Sequence, residues 1–183
     1  MNEQDFKIVF TGPMGAGKTT AIAAISDEPP VSTDVVNTDR AVFDKALTTV
    51  GLDYGRIAIA AGQHVHLYGT PGQLRYRFLW GILGNNAAGV IVLIDASQAD
   101  ALVQLDAFVE AFGSGKRAPV VVGVGRSDQA GALALDAFVQ RLERHGLTLP
   151  VFGVDVRRRD DVLLLVDTLL CLLELGDIGR KIV

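Results

Sequence analysis

The stretch GPMGAGKT, residues 12–19, constrains this chain more than any other, because it stands directly after a compact apolar run at 6–10. A strand that breaks into this spacing of glycines, then a lysine and a threonine, then a helix, is a phosphate-binding loop. Its glycines let the backbone N–H groups turn inward, and the opening turn of the following helix adds its own unpaired N–H groups and dipole. Lys18 is the side chain that reaches terminal phosphates, and the Thr19 hydroxyl is placed to ligate Mg²⁺. The residues of the cradle are Pro13, Met14, Gly15, Ala16, Gly17, Lys18, Thr19 and Thr20. Such a loop predicts a nucleoside triphosphate or diphosphate as ligand.

The rest of the chain supplies the sheet that this loop needs. Apolar runs at 89–95, 119–125 and 150–154 read as buried strands, each followed by a helical segment (99–112, 133–144 and 160–175). Segments 49–59 and 63–68 flank Ala61-Gly62 closely enough for an antiparallel hairpin, and 74–83 reads as helix. Residues 26–47 read as irregular. The expected fold is a single α/β domain over 1–183: about six strands, mostly parallel with one antiparallel strand, and helices on both faces. A hydrophobic fraction of 49% with mean hydropathy +0.32 suits strands apolar on both sides.

Charge narrows the partners. With a formal net charge of −4 and no basic stripe, nucleic acid is not expected. No apolar run reaches the roughly 18 residues of a membrane span, and neither a signal peptide nor a lipid-anchor motif is read. A cytoplasmic protein is the expectation. Cys171 reads as a buried thiol, and His64 and His66 as strand positions on one face.

Four further stretches stand in order after the phosphate loop: TVGLDYG at 49–55, GTPGQ at 69–73, GRSD at 125–128 and VDVR at 154–157. With GPMGAGKT they resemble the motif series of Ras-like small GTPases, and the nearest likeness is to bacterial Ras-like GTPases of the gliding-motility and conservon type. The resemblance implies bound GTP or GDP with Mg²⁺, and a small regulatory partner of the Roadblock/LC7 fold. It implies Thr49 (with Thr48 as fallback) as the first-switch threonine over Mg²⁺ and the γ-phosphate, so that Thr19 and Thr49 are the metal residues. It makes Gly72 the backbone that senses the γ-phosphate and Gln73 the side chain that orients the attacking water, with Lys18 as the catalytic cation. Asp128 becomes the acceptor for the guanine edge, Arg126 the side chain laid over the base, and Val156 the provider of a backbone amide.

The chain departs from that pattern in three places. Gly69 stands where the family has a carboxylate that holds Mg²⁺ through a water, and Gly125 stands where it has an amide side chain. Asp95, closing the run GVIVLID, offers a competing carboxylate of Walker B type. Met14 occupies a position that is glycine in Ras and would crowd an incoming arginine finger; Arg40 could supply such a charge in cis. The implied function is a GTP-driven switch with slow Mg²⁺-dependent hydrolysis. The alternatives are a nucleotide-locked scaffold and a P-loop ATPase or phosphotransferase. Phe78 and Trp80, just after the sensing turn, and the leucine-rich helix at 162–175 are the candidate contact surfaces.

Overall fold

The structure is a computed structural model, which describes residues 5–35, 50–60, 62–112 and 118–181. Seven strands form one sheet: β1 (Phe6–Thr11), β2 (Val31–Val35), β3 (Val50–Ala60), β4 (Gln63–Gly69), β5 (Gly89–Asp95), β6 (Val120–Gly125) and β7 (Val151–Val154). Their order across the sheet is β2-β3-β4-β1-β5-β6-β7. Only β3 runs against the others, since it pairs antiparallel with both β2 and β4 while every other pairing is parallel. The α/β sheet with a single reversed strand is therefore as expected. The added strand is β2, within a stretch read as irregular because of Pro29-Pro30 and its many Asp, Thr and Asn residues.

Among the described residues there are five α-helices, four between strands and one after the last: α1 (Lys18–Ile25), α2 (Arg77–Gly84), α3 (Ala101–Phe112), α4 (Leu135–Arg144) and α5 (Arg159–Lys181). A single 3-10 turn, Leu74–Tyr76, leads into α2. Parallel strands need crossovers, and the period-two side chains of each strand sort them onto two faces. Ile8, Phe10, Val65 and Leu67 pack on one face with Ile22 of α1 and with Val162, Leu165 and Leu169 of α5. Val9, Val92, Ile94 and Val122 pack on the other with Trp80, Phe108, Phe112 and Phe138 from α2, α3 and α4.

This arrangement corrects two readings. Trp80 is fully buried, its ring tilted against Phe108 with centroids 4.2 Å apart, so it belongs to the core and not to a contact surface. Cys171 is exposed, because α5 buries the stripe Val162, Leu165, Val166 and Leu169, and position 171 falls outside it. His64 and His66 do share one face of β4, where His66 Nδ1 lies 2.8 Å from the Tyr54 hydroxyl. Among the described residues, no helix is long and apolar enough to cross a membrane.

Candidate functional site

Strand β1 lies where the chain changes direction across the sheet, with β4 on one side and β5 on the other. Open parallel sheets gather ligands at the carboxyl ends of their strands at such a point. Here the ends of β1, β4, β5, β6 and β7 open together onto one cavity of about 1070 Å³. Met14 to Thr20, Asp53, Gly72, Gln73, Asp95, Arg126, Asp128 and Val156 all line it. Of the site residues read from the sequence, Thr49 lies outside the described residues, as do Thr48 and Arg40. Pro13 is buried behind the loop and contributes its carbonyl.

The loop after β1 turns through Gly17, which caps α1 in the left-handed region at φ 90° and ψ 21°. A Cβ there would also come within 2.7 Å of the Val156 side chain, so glycine is required twice over. Lys18 folds back over this loop, its Nζ donating to the carbonyls of Gly12 at 2.9 Å and Pro13 at 2.7 Å. Burial lowers its ammonium to about 8, and the charge of Asp53 partly offsets that fall. The cradle therefore combines aligned N–H groups with a cation short of anions, which suits a polyphosphate.

Asp53 was not read as a site residue from the sequence, and the geometry shows why it matters. In the β3–β4 ladder Asp53 sits opposite Gly69. Its Oδ2 accepts a hydrogen bond from the Thr19 hydroxyl at 2.5 Å. A Cβ built on Gly69 would lie 3.0 Å from Asp53 Cβ and 3.1 Å from its Oδ2. The acid absent from position 69 thus has a counterpart on the neighbouring strand, and Gly69 is bare because Asp53 lies over it. The signal was the register: in LDYG the aspartate falls opposite the end of β4 only once the hairpin is aligned. Thr19 and Asp53 together offer hard oxygen donors, the kind Mg²⁺ takes beside phosphate oxygens and waters. Among the described residues no three His, Cys, Asp or Glu groups gather, so a cation here would lean on the ligand's phosphates.

The GTPGQ turn is fastened to the phosphate loop. Thr70 N donates to the Phe10 carbonyl at 2.9 Å, and the buried Thr70 and Thr11 hydroxyls lie 2.8 Å apart. Trp80 Nε1 donates to the Pro71 carbonyl at 2.8 Å. Gly72 is pressed so closely on the loop that a Cβ would come within 2.5 Å of both Met14 N and Pro13 C. Gln73 turns its amide to the Met14 sulfur at 3.8 Å, with Met14 exposed at the mouth of the cavity.

At the other end Asp128 follows β6, in a loop where Arg126 takes the left-handed conformation at φ 56°. The Arg126 guanidinium, half exposed at the cavity wall, pairs with Asp95 at the end of β5. Burial pushes the Asp95 carboxyl up, but two hydrogen bonds from Ser97, one from Gln98 and the Arg126 charge outweigh it and hold Asp95 below the usual carboxylate range. Asp95 is thereby tied to the loop after β6, while Asp53 is the carboxylate hydrogen-bonded to Thr19, which argues against a Walker B role for Asp95. Nearby, Arg157 pairs with Asp155, holding that carboxyl down at about 2, and its charge also faces Asp128. Gly125 has room to spare, with the nearest atoms to a built Cβ at 3.8 Å.

No family model matches the chain. A search of curated proteins found an uncharacterized protein of Methanocaldococcus jannaschii, MJ1339, 30% identical over 98 residues. The match covers 54% of this chain and 56% of that protein, so the chain spans about half the length of the relative it matches.

Proposed function

We propose that the protein is a guanine-nucleotide switch that binds GTP or GDP with Mg²⁺ and hydrolyses GTP slowly. The observation that carries this reading is the seating of Gly72 on the Pro13–Met14 peptide, which sets the GTPGQ turn directly against the GPMGAGKT loop. A γ-phosphate arriving there meets the Gly72 N–H, and its loss removes that contact; such a turn converts phosphate occupancy into loop position. Lys18 and the loop N–H groups stabilise charge developing on the phosphoryl oxygens. Thr19 and, in this reading, Thr49 would hold Mg²⁺, which would neutralise phosphate charge when bound. Asp53 accepts the hydrogen bond that orients Thr19. Asp128 accepts from the guanine edge, and Val156 offers its backbone amide.

The partner-facing surface in this reading is not Trp80 but the outer stripe beside it. Leu74, Phe78 and Ile82 recur every four residues and are 64%, 43% and 53% exposed. They directly follow the sensing turn, so a Roadblock/LC7-type partner bound there would feel its position.

The test is nucleotide competition on stripped protein, then single-turnover γ-phosphate release with saturating Mg²⁺. GDP and GTP should displace labelled GDP while ATP does not, and Gln73→Leu should bind GTP normally but lose turnover. Wild-type turnover on the order of 10⁻⁴ s⁻¹ is expected without an activator. A second reading, the nucleotide-locked scaffold, is favoured by one feature: Gln73 rests on Met14. Absence of release over many hours, with tight guanine nucleotide binding, would establish it. Displacement of GDP by ATP as readily as by GTP would refute both.

A further inference from the structure

Base selectivity requires Asp128 to be held in place, and the turn that carries it is closed by Gln129 N donating to the Arg126 carbonyl at 3.2 Å, so its placement depends on Arg126. The loop's left-handed residue is Arg126, a conformation that non-glycine residues adopt only at some cost. Something must repay that conformation. The Arg126 guanidinium reaches back to Asp95 at the end of the adjacent strand β5, where Asp95 stands directly opposite Gly125 in the ladder. Asp95 is 4% exposed, and its carboxylate is fixed from three further sides: Ser97 N at 3.0 Å, Ser97 Oγ at 2.6 Å and Gln98 Nε2 at 3.3 Å. A second link runs beside it, with Ala96 N donating to the Gly125 carbonyl at 2.9 Å. Asp95 is thus a buried, hydrogen-bonded anchor for the half-exposed Arg126, and the loop's next residues lead straight to Asp128.

We infer that Asp95 is a positioning residue for base recognition, acting through Arg126 to fix the 126–128 loop so that Asp128 meets the base. The inference deepens the guanine reading above and rests on it. Asp95 touches neither phosphate nor base in this account; its effect on the ligand passes through Arg126. Nothing in it concerns the phosphate end, where Lys18, Thr19 and Asp53 act. The two ends therefore respond separately to its loss.

The experiment measures binding of GDP, ADP and inorganic pyrophosphate by calorimetry to wild type, Asp95→Asn, Arg126→Ala and the double variant, each checked for folding by thermal unfolding. Asparagine keeps the size of Asp95 and an acceptor for Ser97 but removes the charge that holds Arg126. GDP affinity should fall roughly ten- to hundredfold in Asp95→Asn, as for loss of one charge-assisted contact. Pyrophosphate affinity should stay within about twofold. In the Arg126→Ala background, adding Asp95→Asn should change GDP affinity by less than about twofold, because the route through Arg126 is already cut. The inference is overturned if Asp95→Asn leaves GDP affinity intact, if GDP and pyrophosphate weaken alike, or if the effect persists undiminished without Arg126. Should the buried variant fail to fold, Arg126→Ala alone decides, since that side chain is half exposed: unchanged selectivity for GDP over ADP overturns the inference. A wild type that binds ADP as tightly as GDP instead overturns the guanine reading, and this inference with it.

Discussion

Moving the carboxylate between strands is the sharpest test of the site. Asp53→Ala removes the acceptor for the Thr19 hydroxyl, a bond of 2.5 Å, without touching the phosphate loop backbone. Groups that orient a metal's ligand in this way are worth about 10–100-fold in metal affinity, or about 1.4–2.8 kcal/mol. Free Mg²⁺ needed for half-maximal retention of a fluorescent GDP should rise by that factor. Gly69→Asp alone should not improve retention. Position 69 has an ordinary backbone conformation, but its Cβ would stand 3.0 Å from Asp53 Cβ, far inside the ~4.5–5.5 Å of a normal cross-strand pair. The two carboxylates would share one space, at a cost of about 1–3 kcal/mol in stability from crowding alone. Exchange of the two residues, Asp53→Gly with Gly69→Asp, clears the space and returns an acid to the same corner. It should recover most of the lost Mg²⁺ response. The reasoning fails if folded Asp53→Ala titrates like wild type, or if the exchanged protein is no better than Asp53→Ala.

Other consequences can be checked in the same preparations. Lys18 titrates near 8 in the free protein, and phosphate binding favours its charged form, so nucleotide affinity should be flat below about pH 8 and fall by up to about tenfold per unit above it; a flat profile to pH 10 would sink this. Asp53→Ala removes the charge that raises Lys18, which should move the onset of that fall to lower pH. Trp80→Phe keeps the ring but strands the Pro71 carbonyl, for a loss of about 1–3 kcal/mol in chemical unfolding; no loss would mean the indole bond is idle. Phe78→Ser with Ile82→Ser should leave unfolding within about 1 kcal/mol while weakening any partner that reads the turn, and undiminished partner binding would remove this stripe from consideration.

The phosphate end was legible because its chemistry is local. Gly12 to Thr19 sit in one unbroken stretch, and backbone N–H groups need only the right glycines to converge. Strands β5 and β6 were equally plain, since burial on both faces leaves an unbroken apolar run. Asp53 was not legible, because its role depends on which residue faces it across a hairpin, and one residue of slippage would turn it to the opposite face. Arg126 was identified in position but not in direction: the sequence gives no sign that a guanidinium 31 residues from Asp95 pairs with it. Trp80 misled for a related reason. Its neighbours Phe78 and Ile82 are exposed, and only the helix phase, set by packing on Phe108 and Phe112, decides which aromatic goes inward.

That inward tryptophan has an optical side. It is the sole tryptophan of the chain, so all indole emission comes from a ring sealed from water and bonded to the carbonyl just ahead of Gly72. Any movement of the turn large enough to break that bond alters the dipoles around the indole, and with them its emission wavelength and lifetime. The protein therefore carries an unlabelled probe at the GTPGQ turn. If the proposed switch holds, stopped-flow emission should time the turn's response to nucleotide with no dye attached to the ligand.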